Sequence, residues 1–347
     1  MSGPTVGAAA DWARATEQVK RQALALGFDK VGIASAADPP DLTSLRAWLA
    51  AGMAADMAWM ADPRRMDPER VLPGVQSLVC VALNYYTPTC YSRDPAKGKI
   101  SRYAWGRDYH RVLGRRLKQL HLWMQAQFPD YRGRFYVDTG PVAEKPWAMQ
   151  AGLGWIGKNG LLLTREYGSW VFLGVILTTL PLIPDRPHTA HCGTCSRCLE
   201  ACPTQAIVSP GVVDSRRCIA YHTLESHAEQ IPAEIAQNLH NWVAGCDICQ
   251  EVCPWNQRFA RPSRIPDFQP YPWNVAPDLQ ELARIGDEEF DRRFPASALR
   301  RLKAHRLRRN AQAALSGHSG STAHSNDLEA HTPVPHPEAL RAADANG

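Results

Sequence analysis

The sequence has no segment suited to export or to crossing a membrane. Residues 1–28 lack the basic head and continuous apolar run of a secretory signal. Arg64 and Arg65 form a twin-arginine pair, but they lie too far inside the chain to direct export. The longest apolar stretch, residues 170–182, has about half the length of a membrane helix. We therefore expect a cytoplasmic protein with no membrane partner.

Strong charge and low complexity are also missing from most of the chain. Hydrophobic residues make up 45% of the 347 residues and charged residues 21%, which is typical of a soluble globular protein. The net charge of +5 is too small to require a polyanionic partner. A chain of this length is expected to form two or three folded units.

Cysteine, by contrast, is abundant, with ten residues. Cytosolic thiols are kept reduced, so metal binding or catalysis is a better explanation than disulfides. The run from Cys192 to Pro203 has the bacterial ferredoxin spacing, in which three cysteines hold one cubane and the fourth serves a second cluster. A second group, residues 246–254, closes with the same Cys-Pro pair, and Cys218 is the remaining candidate ligand.

Exchange of the fourth ligand between the groups predicts two sets of four thiolates. The first set is Cys192, Cys195, Cys198 and Cys253, and the second is Cys202, Cys218, Cys246 and Cys249. Soft thiolates suit iron-sulfur clusters. A pair of zinc sites is the alternative, because zinc also takes four cysteines, but the CxxxCys-Pro closures are typical of ferredoxins. Cys80 lies in an apolar run and is expected in the core.

Helical patterns alternate with short apolar runs over residues 11–184, which predicts an α/β domain with helices covering a sheet. Residues 185–260 are rich in cysteine, proline and polar turns and predict a small unit held by metal. Short amphipathic helices are expected over 261–315, the last of them strongly basic. The tail, 316–347, has too few apolar residues to fold and is expected to be disordered.

Three segments carry chemically informative residues. Asp138 ends a predicted strand and is a candidate general acid, although it could instead cap the helix predicted over 142–151. The glycine-rich loop 151–160 would let the backbone approach a bulky ligand, or could be a buried turn. Residues 102–118 interleave aromatic rings with arginines, which suits a single-stranded nucleic acid but also fits a solvated basic helix face.

Five segments together closely resemble epoxyqueuosine reductases over roughly residues 11–314. They are VDTGPVAEKPWAMQAGLGWIGKNGLLL, RYAWGRDYH, CGTCSRCLEACPTQAI, RCIAYHTLE and GCDICQEVCPWN. The resemblance implies a monomer of α+β or α/β class. Its parts would be a nitroreductase-like cobalamin-binding domain (11–184), a ferredoxin-like domain with two 4Fe–4S clusters (185–260), short HEAT-like helices (261–315) and a disordered tail (316–347).

The activity that the resemblance implies is the last step of queuosine biosynthesis. The epoxide on the modified wobble base of a tRNA is reduced, water leaves, and queuosine forms. Cobalamin would engage the substrate, while the two clusters supply electrons from an unidentified donor. A corrinoid reductive dehalogenase acting on small organohalides is the alternative. A non-catalytic electron carrier would leave the large N-terminal domain unexplained.

The resemblance also assigns residues. Asp138 falls on the position of the proton donor, and burial beside a corrin is expected to raise its pKa so that it is protonated near neutral pH. The predicted cobalamin contacts are Met60, Asp138, Trp155, Leu162, Leu173, Ile176, Ala220, His222, Glu225, Cys246 and Asp247. The predicted tRNA contacts are Arg102, Arg107, His110 and, from the basic helix at 300–309, Arg306.

Overall fold

The computed structural model describes residues 6–318, which form short strands and helices. The strands are β1 Lys30–Ser35, β2 Ser77–Asn84, β3 Lys99–Ile100, β4 Gly133–Tyr136, β5 Trp155–Ile156, β6 Leu162–Leu163, β7 Val171–Thr178, β8 Ile207–Ser209, β9 Val212–Val213 and β10 Trp242–Ala244. The helices are α1 Val6–Ala25, α2 Thr43–Ala50, α3 Tyr109–Gln127, α4 Glu144–Gln150, α5 Arg197–Glu200, α6 Ala233–Ala236, α7 Ile248–Glu251, α8 Pro254–Phe259, α9 Pro272–Val275, α10 Leu279–Leu282, α11 Asp287–Arg293 and α12 Lys303–His318. Isolated 3₁₀ turns and one π-helical turn, Tyr221–Glu225, complete the regular structure of this part of the chain.

A four-stranded sheet in the order β1-β2-β7-β4 forms the centre of the N-terminal part. Every neighbouring pair in it is antiparallel. The sheet is therefore of α+β type, so of the two expected classes, α+β and α/β, the structure supports the first. Alternation of helix and strand along the chain does not fix strand direction, because a helical connection can return to either end of the next strand. The finer nitroreductase-like, ferredoxin-like and HEAT-like descriptions stay predictions.

Helices cover both faces of this sheet, which explains why the central strands read as continuous apolar runs. All eight residues of β2 are buried. Helices α1 and α3 contribute to the hydrophobic core on one face, and α4 to the core on the other. Gly174 in β7 allows α3 to pack closely, since a Cβ there would lie 2.7 Å from Cδ1 of Leu117. Cys80 is buried in this sheet, as predicted.

The C-terminal helices share a hydrophobic core with segments from the middle of the chain. Leu302 and Leu307 belong to the same buried cluster as Trp105, Ile219 and Trp242. Strand β10 pairs in parallel with β3, which brings residues on both sides of position 184 together. Residues of all three predicted units therefore contribute to one hydrophobic core. The division into domains at these positions stays a prediction.

The C-terminal helix is longer than the sequence predicts. Helix α12 continues to His318, so residues 316–318, predicted to begin the disordered tail, are helical. The rest of the predicted tail, 319–347, lies outside the described residues. Among the helices of residues 6–318, none has both the length and the apolarity that a membrane span needs.

Candidate active site and cluster ligands

The first predicted set of cysteines is assembled around one cavity. Cys192, Cys195, Cys198 and Cys253 line a space of about 100 Å³. Burial, together with the neighbouring thiols of Cys253, Cys192 and Cys195, raises the pKa of Cys198 to about 11. Four thiols around one small cavity are the arrangement that a cubane cluster requires.

The four cysteines of the second predicted set are also brought together. Burial raises the pKa of Cys249 well above its ordinary value, and the thiols of Cys218 and Cys202 add to this effect. Burial, Cys249 and Cys218 likewise raise the pKa of Cys246. Cys198 of the first set also contributes at Cys249, so the two sets are neighbours. Clustered buried thiols resist ionisation until a cationic metal centre compensates the charge, so these positions suit a cluster.

A larger cavity, of about 850 Å³, lies at the end of β4 and against the second cysteine set. One wall is apolar and is formed by Leu162, Phe172 and Leu173. Gln250, the residue after Cys249, also lines this cavity. Its volume is within the range of cofactor pockets, which are commonly about 300–1,000 Å³. The cavity and the second cysteine set therefore adjoin each other through α7.

Asp138 lies in this cavity, two residues after β4, with a positive φ of 59°. The backbone N–H of Asp138 donates a 2.7 Å hydrogen bond to Oε1 of Glu144, and its Oδ2 lies 3.3 Å from Nε2 of His110. Non-glycine residues rarely adopt this backbone conformation, so its presence at a cavity indicates a functional constraint. Helix α4 begins after Ala143 with no side-chain cap, which rules out the helix-capping alternative for Asp138.

The pKa of Asp138 is lower than expected from the sequence. Burial raises the pKa of this carboxyl, but hydrogen bonds from His110 and Tyr109 and the charge of Arg301 outweigh burial and lower it below its ordinary value. The predicted rise presumes burial beside a corrin and stays a prediction, whereas the protein's own groups lower the pKa of Asp138. The reason is the cationic partner, which the sequence spacing did not place beside this carboxylate.

His110 bridges two carboxylates inside the cavity. Its Nδ1 lies 2.8 Å from Oδ1 of Asp108, and its ring stacks on that of Tyr109. Burial lowers the pKa of His110, but hydrogen bonds to Asp108 and Asp138 outweigh burial and raise it to about 9. The imidazole is therefore protonated at neutral pH. His110 was predicted as a tRNA contact, and the structure places it beside the candidate acid.

Glu144 is a site residue that sequence reasoning missed. Burial and the charge of Asp138 raise the pKa of Glu144 to about 8, so the carboxyl is mostly neutral at pH 7. Its neighbour Lys145 lines the cavity and donates from Nζ to the carbonyl of Gly160 at 2.7 Å. Both residues belong to the VDTGPVAEK segment, which the sequence analysis singled out. Their spacing from Asp138 does not indicate that Glu144 contacts it.

Comparison with known proteins agrees with this geometry. The family model "Epoxyqueuosine reductase QueG, DUF1730" matches residues 65–139, and the "4Fe-4S double cluster binding domain" matches residues 191–256. The epoxyqueuosine reductase of Synechocystis sp. is 62% identical over 271 residues, covering 78% of this chain and 94% of that protein. This chain belongs to the epoxyqueuosine reductase family. The epoxyqueuosine reductase of Gloeobacter violaceus is 56% identical over 317 residues, covering 88% and 98%.

Solved structures of epoxyqueuosine reductases match the fold. One, with an epoxyqueuosine-modified tRNA-Tyr stem loop, gives a TM-score of 0.79 at 31% identity and covers 88% of this chain and 82% of that one. Another, from Bacillus subtilis, gives a TM-score of 0.78 at 30% identity with the same coverage, and its catalytic aspartate loop is swung out of the active site. The predicted family and the oxidoreductase assignment are confirmed. The double-cluster match supports iron-sulfur over zinc, and the family assignment argues against a dehalogenase.

The predicted cobalamin contacts stay predictions, and the structure places only some of them in the cavity. Asp138, Leu162, Leu173 and Glu225 line the cavity. Seven others do not: Met60, Trp155, Ile176, Ala220, His222, Cys246 and Asp247. Resemblance places a segment near a pocket, but it does not tell which side chains of the segment face it. The side chain of Trp59, next to Met60, does line the cavity.

Four of these residues are buried and serve the protein interior instead. Trp155 packs with Leu163 and Cys253. Ile176, a residue of β7, belongs to the hydrophobic core on one face of the sheet. The ring of His222 is hydrogen bonded to the carbonyl of Arg216 at 2.8 Å. Asp247 is fully buried and accepts hydrogen bonds from Ser101, Tyr91 and the backbone N–H of Arg102.

Two of the predicted tRNA contacts, Arg102 and Arg306, have buried side chains, and their role in tRNA binding stays a prediction. The Arg102 side chain is only 2% exposed, pairs with Glu251 at 2.9 Å and lies against four aromatic rings. Arg306 is buried and donates to the backbone carbonyl of Leu224. Charge patterning cannot distinguish an arginine that faces solvent from one that satisfies buried carbonyl groups. Arg107 is partly exposed beside Asp267 and stays a prediction.

Proposed function

We propose that this chain reduces epoxyqueuosine to queuosine in tRNA, with cobalamin held in the 850 Å³ cavity. The observation that carries the proposal is the placement of Asp138, with His110 and Glu144 bonded to it, in a cavity that adjoins the second cysteine set. An acid, a cofactor-sized space and a route for electrons then meet at one place. Family membership supports the same reaction.

The cavity fits a flat, largely apolar macrocycle with polar edges. Leu162, Phe172 and Leu173 offer an apolar surface for the corrin, and Tyr109 stacks on Phe172 at 4.2 Å between ring centroids. Ser101 and Gln250, on the side of the second cysteine set, offer polar groups to the amide-bearing periphery. Bound there, cobalamin would supply a strongly reducing metal centre for cleavage of the epoxide carbon–oxygen bond.

The reaction consumes two electrons and two protons and releases the epoxide oxygen as water. Asp138 is the proposed proton donor to that oxygen. Substrate and cofactor that fill the cavity would exclude water from Asp138 and favour its neutral form. This would raise the pKa of Asp138 and oppose the lowering by His110, Tyr109 and Arg301. His110 is protonated at neutral pH and lies 3.3 Å from the Asp138 carboxylate, so it can return a proton after each turnover.

The segment that carries Asp138 is proposed to move during the cycle. Glu144 holds the Asp138 backbone at a positive φ through one hydrogen bond. In the Bacillus subtilis relative, the catalytic aspartate loop is swung out of the active site. Loss of the Glu144 contact would free the corresponding loop here, and its formation would place the acid against bound substrate.

The rim of the cavity offers groups suited to a tRNA loop. Arg65, Arg300 and Arg301 line it, and the Arg65 guanidinium lies 4.8 Å from the exposed ring of Trp59. Guanidinium groups can meet phosphates, while an exposed indole can stack on a base. We propose this rim, together with Arg107, as the tRNA contact surface. A relative has been solved with a modified tRNA stem loop. A monomeric, cytoplasmic enzyme completes the proposal.

Anaerobic reconstitution with iron, sulfide and cobalamin tests the assignment. The loaded protein receives excess dithionite and epoxyqueuosine-containing tRNA, and the digested nucleosides are analysed by mass. We expect queuosine from the wild type, and a rate about 10²–10⁴-fold lower from Asp138→Ala because the general acid is lost. Asp130→Asn, at an exposed aspartate on another loop, is the matched control and retains the wild-type rate. Unchanged epoxyqueuosine with fully loaded wild type would overturn the proposal.

A further inference from the structure

The two cysteine sets differ in their position relative to the large cavity. Cys192 and Cys195 are half-buried, and the residues between them, Gly193 and Thr194, are exposed. The second set adjoins the large cavity through Gln250, whereas the first set lines a separate space of about 100 Å³. Electrons from outside therefore reach the first set before the second. The surface over the first set is where a donor has to bind.

Three cationic side chains from separate segments surround this surface. Lys158 donates from Nζ to the carbonyls of Gly193 and Cys195, at 2.8 and 2.9 Å. Arg165 lies 3.1 Å from the ring of His191, the residue before the first ligand. Arg197, within the CxxC run, is exposed and reaches Gln257 beyond Cys253. The cations thus form a rim around the exposed side of the first set.

Few carboxylates balance this rim. Residues 186–198 contain two arginines and two histidines but no aspartate or glutamate. Glu166 is paired with Lys30 at 2.5 Å, and Glu251 is paired with the buried Arg102. Glu200 accepts a hydrogen bond from Ser196. Among the described ion pairs and hydrogen bonds, it is the one nearby carboxylate that has no cationic partner. The face over the first cluster site is therefore positively charged.

We infer that this face docks an acidic one-electron carrier protein of the ferredoxin or flavodoxin kind. The carrier is oxidised by one electron and the first cluster is reduced by one, so each epoxide requires two deliveries. Complementary charge accelerates such encounters and makes them sensitive to salt. The inference rests on the proposed function, which requires electrons, and it adds the class of donor and its binding surface.

Carrier binding to the reconstituted holoenzyme tests this inference. The probe is an acidic plant-type ferredoxin, with Kd measured by calorimetry and cluster reduction by stopped-flow absorbance, at low and high salt. We expect Arg165→Glu/Arg197→Glu to weaken Kd about tenfold or more at low salt, with a smaller effect at high salt because exposed charges are screened. Arg284→Glu, at an exposed arginine of the C-terminal segment, is the matched control and leaves Kd unchanged.

Iron content and midpoint potentials of the variants separate docking from other roles. Docking predicts that both stay at wild-type values and that excess dithionite reduces every variant to the same extent. Equal affinity and equal salt dependence in the wild type and the double variant would overturn the inference. A shifted midpoint potential with an unchanged Kd would overturn it too, since the arginines would then tune the cluster. Turnover of epoxyqueuosine with dithionite tests the proposed function independently of any carrier.

Discussion

The residues that line the cluster sites and those that line the Asp138 cavity are distributed differently along the sequence. The first set draws three of its four ligands from one seven-residue stretch, 192–198, and a single residue type performs the chemistry. The cavity gathers side chains from segments as distant as Trp59 and Arg301, of mixed chemistry. Ligands that are close in sequence leave a readable pattern, whereas a pocket assembled by tertiary packing does not.

The largest expected effect comes from the cysteine sites. Cys249→Ser removes a thiolate from the second set, so iron should fall from about eight to about four atoms per chain. Epoxyqueuosine reduction should stop, because the cluster between the first set and the cavity is lost. Iron analysis and paramagnetic resonance of anaerobic samples measure this. Cys90→Ser, at an exposed cysteine outside both sets, is the control. Full iron content in Cys249→Ser would show that the quartet is wrongly assigned.

The second prediction concerns Arg102, which joins the two regions. Its guanidinium pairs with Glu251 between Cys249 and Cys253, while its backbone N–H bonds to Asp247. Arg102→Ala should lower the free energy of unfolding by about 1–3 kcal/mol, because it leaves the buried carbonyl of Thr87 without its donor, while Glu251 is half-exposed. Denaturant unfolding of the reconstituted protein measures the change.

Arg300→Ala is the counterpart of this variant. Arg300 lines the cavity with a half-exposed side chain. We expect its loss to weaken tRNA binding and reduce the salt slope by about one, with stability changed by less than about 0.5 kcal/mol. If Arg102→Ala lost tRNA affinity without losing stability, the structural role given to Arg102 would be wrong.

The same difference in how the residues are distributed along the chain explains which features of the two regions could be predicted from the sequence. Apolar runs, CxxC spacing and the VDTGP segment are local, so the sequence could indicate a helix-covered sheet, the cysteines that the fold brings together and Asp138, whose roles as ligands and acid stay predictions. Strand direction, the inward side chains of Arg102 and Arg306, and the partnership of Glu144 with Asp138 were not predicted. Each of these depends on which distant backbone a residue meets after folding, and periodicity carries no information about that.

A smaller effect on the rate is expected from a substitution of His110, which tests the role of this residue in the cavity. His110→Gln keeps a hydrogen-bonding group beside Asp138 but cannot carry the positive charge. We expect kcat to fall about 10–100-fold, within the lower range of general acid–base effects. In the wild type the rate should decline as pH rises through about 9, where His110 loses its proton, and this limb should be absent from the variant. A pH–rate profile with excess dithionite and saturating tRNA measures both. Identical alkaline limbs would contradict the assignment.

The smallest effect is expected at Glu144, and its sign follows from the raised pKa of about 8. The unfolded chain ionises this group near pH 4.5, while the folded protein keeps it neutral until about pH 8. Its contribution to stability is therefore complete below pH 4.5 and is lost as pH rises through 8. Glu144→Gln retains the oxygen that accepts from Asp138 and cannot ionise.

The variant should therefore melt about 2–4 °C above the wild type at pH 8.5 and show a smaller difference at pH 5. Differential scanning calorimetry at the two pH values measures this. Glu69→Gln provides a matched control, because Glu69 also accepts a backbone N–H through its carboxylate, from Gly74, but is exposed to solvent. Equal gains at both pH values would mean that Glu144 is ionised in the fold. Burial and the charge of Asp138 would then not raise the pKa of Glu144, and an ionised carboxylate, not a neutral carboxyl, would hold the loop that carries the acid.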